Sequence, residues 1–148
     1  MTDSLVVQLC AAAVDQINAA KPYEYGALTA VRKFLPVLDA KDHDLRVYAV
    51  PNSKLFSDFD RDGTDETVSI DIVIQKKVAN NQDNAELDPL SRLVEQIENV
   101  FRLQNIQSLQ ANILRLERDP LYEPERLHTL LEFVAAITIT FNEIVTKG

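Results

Sequence analysis

The run with the most chemical potential in this sequence is Ser57 to Glu66, SDFDRDGTDE, where Asp58, Asp60, Asp62 and Gly63 stand in the D-x-D-x-D-G order of a calcium loop. Carboxylates at alternate positions of a tight loop can converge on a hard cation, and the glycine permits the sharp turn. The rest of the pattern is missing. A loop beginning at Asp58 needs a bidentate glutamate where Ser69 stands and an apolar residue where Asp65 stands. Helices flank loops of that kind, whereas the residues after Glu66 alternate like a strand. We read the run as an acidic, exposed hairpin tip with Asp62-Gly63 at its turn, kept solvated by like charges.

Two further positions invite a chemical reading. His43 lies between Asp42 and Asp44, as an acid-base pair or metal site could begin, but the other histidine, His128, has no matching spacing. A solvated turn accounts for His43. Cys10 is the single cysteine, so no disulfide forms within the chain, and it lies near the apolar face of a helix without a basic neighbour to activate it. It reads as a small buried hydrophobe. Phosphate-binding glycine loops, H-E-x-x-H pairs, Cys/His clusters and G-x-S-x-G elbows are absent from the sequence, so we expect no enzyme, no cofactor and no resident metal.

The elements that position these residues follow from periodicity. In TVSIDIVIQKKV, Thr67 to Val78, the residues Val68, Ile70, Ile72 and Ile74 recur at every second position, which is a strand with one buried face. Phe133, Ala135, Ile137, Ile139 and Phe141 repeat the pattern in a second core strand. Leu45 to Val50 is a third, ended by Pro51; Thr29 to Leu38 reads as an edge or bulged strand because of Pro36, and Ala111 to Arg118 as a short one. Leu5, Val6, Leu9, Ala13, Ile17 and Ala20 form one amphipathic helix, with Asp3 or Ser4 as its cap and Pro22 beyond its end. Leu90, Leu93, Val94, Ile97, Val100 and Phe101 form another, with Asp88 as N-cap and Pro89 at its first position. Glu123 to His128 suggests a single helical turn.

This order implies one α+β domain over residues 1–148, with a mostly antiparallel sheet of about five strands covered on one face by two long amphipathic helices. Its length and 46% hydrophobic content suffice for a core. Val73, Val134 and Ala136 would lie on the uncovered face and be exposed in a monomer, so we expect another subunit there or on an edge strand. A formal charge of -8 argues against wrapping nucleic acid or an anionic membrane, and the N-terminus reads as neither signal peptide nor membrane span.

RKFLPVLD at Arg32 to Asp39, LRVYAVP at Leu45 to Pro51, IDIVIQKKV at Ile70 to Val78, ERDPLYEPERL at Glu117 to Leu127 and FVAAITITF at Phe133 to Phe141 together resemble the tail terminator, or tail-completion, proteins of the tailed-phage neck. The resemblance runs from about residue 3 to 145 and follows the same helix and strand order. It implies a structural ring, commonly of six subunits, that caps the tail tube and meets the head-side neck or connector protein. DNA would pass through an acidic lumen without sequence-specific binding. It places the protein in the virion tail or neck, assembled in the host cytoplasm. The D-x-D-x-D-G run has no counterpart in the family pattern.

The residues expected at an interface or in the lumen are Asp58, Asp60, Asp62, Asp65, Glu66, Asp71, Val73, Lys76 and Lys77. A head-tail adaptor or stopper protein is the nearest alternative reading. A calcium-binding interaction module using Asp58, Asp60 and Asp62 is a second, and a small α+β enzyme or ligand-binding domain a third.

Overall fold

The computed structural model describes residues 5–20, 30–34, 45–60, 63–80, 82–102, 112–118 and 121–146. Eight elements follow one another: α1 (Leu5–Ala20), β1 (Ala30–Arg32), β2 (Arg46–Asp60), β3 (Gly63–Lys77), α2 (Asn84–Arg102), β4 (Asn112–Glu117), α3 (Pro124–Leu130) and β5 (Glu132–Thr146). The strands form one sheet in the order β1-β2-β3-β5-β4. Three of its pairings are antiparallel and β1 runs parallel to β2, so the sheet is mixed.

The period-two residues of β3 behave as their spacing requires. Val68, Ile70, Ile72 and Ile74 are buried with Leu9, Ala13 and Ile17 of α1, Leu90, Leu93, Val94, Ile97 and Phe101 of α2, and the alternate residues Phe133 to Phe141 of β5. Each large side chain in this core contributes about 1.5–3 kcal/mol of burial before ordering entropy is set against it. Cys10 lies in the same core, where burial pushes its thiol up to about 11. Asn18 of α1 fastens the sheet margin by accepting from Ala30 N–H at 2.8 Å and donating to its carbonyl at 3.1 Å.

Several boundaries differ from expectation for identifiable reasons. Pro51 does not end β2, which continues to Asp60. The carbonyl of Ala49 faces outward to Lys33 N–H, at 3.1 Å, and Pro51 shares its parity two residues on, so its missing donor falls on the outer margin, where β1 has stopped. A bulge follows between Pro51 and Ser53. The helix expected to start at Asp88-Pro89 starts at Asn84, with Pro89 inside it. Asp83 is the cap: its Oδ1 accepts from Ala85 N–H at 3.0 Å and its carbonyl from Glu86 and Leu87.

The single turn at Glu123 is a seven-residue helix, α3, closed by Leu131 in the left-handed region at φ 53°. Leu131 N–H bonds Arg126 O, and its carbonyl accepts from Val78 N–H at 2.8 Å, which holds this conformation where β5 begins. The last strand extends past Phe141 to Thr146, and the central one begins at Gly63 rather than Thr67. Asp3, Ser4, Pro22, Pro36, and Asp42 to Asp44 with His43 lie outside the described residues, as does Thr29.

The second sheet face is not bare. Val73 is buried, 7% exposed, in a small cluster with Tyr48 and Val50, and Val134 and Ala136 are half-buried against it. The expectation that these three would be exposed is therefore corrected. Tyr48 stands opposite Val73 in the β2–β3 ladder with Val50 diagonal to it, and Ala136 is its partner on β5.

Candidate functional site

The three longest strands outrun the two that flank them. Among the described residues, β1 pairs with β2 at Val47–Ala49 and β4 with β5 from Thr138 to Asn142. Beyond those rungs β2, β3 and β5 continue together to Asp60, Gly63 and Thr146. Among the described residues, the outer margin of β2 after Ala49 and the outer margin of β5 after Asn142 have no partner strand. Open ladder margins present unpaired backbone donors and acceptors, a template for another chain.

Most of the expected acidic residues fall on this arm. Asp58 sits in the register shift between Ser57 and Phe59, Asp60 pairs with Gly63, and Asp65 and Glu66 pair with Ser57 and Phe56. Asp62 lies outside the described residues. Gly63 is the first paired residue of β3 rather than part of the turn, and strands flank the D-x-D-x-D-G run on both sides. Groups of acidic, histidine or cysteine residues able to hold a metal are absent among the described residues. One acidic residue escaped the sequence reading: Glu143 stands directly opposite Glu66 in the β3–β5 ladder. Only the extension of β5 past Phe141 reveals it.

The other expected residues are placed differently. Asp71 is engaged within the fold, accepting from Thr138 Oγ1 at 2.7 Å and from Asn52 Nδ2, which is 3.0 Å from each of its oxygens. Beside it, Ser69 and Thr140 share a hydrogen bond of 3.0 Å. Val73 is buried, as above, and so offers no exposed contact. Lys76 and Lys77 are consecutive on β3 and project to opposite faces, so they do not form one basic patch. Both are half-buried, and Lys76 Nζ donates to the Lys77 carbonyl at 3.4 Å.

On the face of Asp71 and Val73, Gln75 and Glu132 are buried side by side, with Gln75 Nε2 donating to Glu132 Oε1. Arg126 of α3 donates to that same oxygen at 2.8 Å. The carboxylate is thus neutralised, and α3 is tied to the start of β5.

A groove of about 540 Å³ opens between the start of α2, the β4–α3 connection and α3. Its floor includes Leu87, Leu127 and Phe133, with Tyr122 stacked on Phe133 at a centroid distance of 6.0 Å. Asp88 and Glu95 are exposed carboxylates on its rim, and Arg118 within it is paired with Glu98 at 3.3 Å. Its residues come from 82–95 and 118–133, and no local motif announces such a junction. Among the described residues, no helix is long and apolar enough to cross a membrane. No protein-family model matches the chain, and no curated protein matches it.

Proposed function

We propose that this chain is a structural protein of the tail terminator kind. Copies close into a ring, of six in the proposed form, that caps a phage tail tube, meets the neck connector and lets DNA pass. The observation that carries the reading is the β2–β3–β5 arm, whose outer margins after Ala49 and Asn142 have no partner strand among the described residues. Two unlike margins on opposite sides of one sheet meet head to tail, and a head-to-tail contact that closes on itself makes a ring.

The arm gathers Asp58, Asp60, Asp65, Glu66 and Glu143. Turned toward a lumen, these carboxylates repel the phosphate backbone, so DNA moves without adhering. The sequence resemblance to neck proteins supplies the biological setting, and the net charge of -8 agrees with a surface that does not hold nucleic acid.

Negative-stain electron microscopy of isolated tail tubes mixed with the purified chain tests the reading. A ring at one tube end is the expected result. Bare tube ends at saturating protein contradict it, and a ring bound to portal assemblies instead favours an adaptor of the neck.

A further inference from the structure

The large apolar side chains exposed among the described residues fall into two groups. Val31 and Phe34, 38% and 65% exposed, lie at the β1 margin; Leu121, Tyr122 and Leu130, 61%, 42% and 50% exposed, lie beside or near the α2–α3 groove. The sheet order puts these groups on opposite margins. The ladders carry Ala30–Arg32 through Val47–Ala49 and Ile72–Ile74 to Ala135–Ile137 of β5. On the far margin Glu123 N–H bonds Val134 O, so the groove stands beside nearly the same rungs.

Arg32 and the Phe34 ring beside it share a side of the sheet with the groove, whereas Val31, at the alternate position of β1, faces the other way. Ala30 is buried in the helix-covered core, and Arg32, two residues on, takes its face. The Arg32 guanidinium lies 5.9 Å from the centre of the Phe34 ring. Phe133, in the floor of the groove, belongs to that same core.

Their charges are complementary. The β1 margin carries Arg32, exposed beside Phe34, and the groove rim carries Asp88 and Glu95, also exposed, while the groove's own Arg118 is already met by Glu98. One margin is an aromatic knob flanked by a cation. The other is an apolar-floored groove flanked by carboxylates.

We infer that the α2–α3 groove receives the β1 margin of a second copy of this chain, with Phe34 seated over Leu87, Leu127 and Tyr122 and with Arg32 facing Asp88 and Glu95. Buried aromatic anchors with a charged rim are the usual energetic centre of an interface. Because the two surfaces differ and lie on opposite margins, each copy uses one of each, and the contact propagates until it closes. This inference rests on the ring reading above and names the contact that builds the ring.

Sedimentation equilibrium of two variants, alone and mixed, tests it. Phe34→Ser removes the knob, and the double variant Asp88→Lys, Glu95→Lys reverses the rim; all three positions are exposed, so melting temperatures near wild type are expected. Each variant alone should self-associate about 30-fold more weakly than wild type or worse. Mixed in equal amounts they should give a species of two copies and nothing larger, because one intact knob meets one intact groove and the other ends are blocked. Wild-type rings with unchanged assembly of both variants would overturn the inference and leave the ring reading standing. A wild-type chain that neither self-associates nor caps tubes removes both.

Discussion

On the helix side of β3, Val68, Ile70, Ile72 and Ile74 join one continuous apolar core, whereas on its other side Ser69, Asp71, Val73 and Gln75 each meet a different kind of partner. Ser69 meets Thr140, Asp71 meets Thr138 and Asn52, Val73 packs on Tyr48 and Val50, and Gln75 donates to Glu132. Burial on the first side is non-directional and supplies most of the folding energy. The second side reads out register: a slip of one residue would drive Asp71 into the core and bring Ile70 or Ile72 among polar neighbours. One face therefore holds the sheet together while the other fixes which rung faces which.

This contrast can be broken from either side. Ile72→Ala should have the largest effect, a loss of about 2–5 kcal/mol in urea unfolding, because the site is closed on every side. Arg126→Met should come next, at about 1–3 kcal/mol. It leaves the Glu132 carboxylate, whose side chain is 4% exposed, with Gln75 as its remaining neutral donor. Adding Glu132→Leu to that variant should recover much of the loss, since an apolar pair removes the stranded charge. Asp71→Ala should cost least, about 1 kcal/mol, because Asn52 is exposed and can bond water instead. If Asp71→Ala proved as costly as Ile72→Ala, the division of labour between the faces would be wrong.

Sequence periodicity revealed the helix-covered face and little of the opposite one. The alternation at Val68 to Ile74 and Phe133 to Phe141 and the stripe from Leu90 to Phe101 each report burial directly. Pro51 misled because the direction of its missing donor depends on where β1 stops, a tertiary fact. Asp88-Pro89 misled because it imitates a helix start, whereas Asp83 holds the true one. The burial of Val73 depends on Tyr48 and Val50 from another strand, and the Arg126–Glu132 pair on a helix-to-strand junction. Lys76 and Lys77 looked like one feature in sequence and are two in space.

The central claim is that unlike margins of one sheet meet head to tail and close. Class-averaged electron micrographs of the purified chain over a concentration series test it most directly. Closed particles with rotational symmetry, built from a fixed number of copies, are the expected result; single-copy particles at every concentration would contradict it.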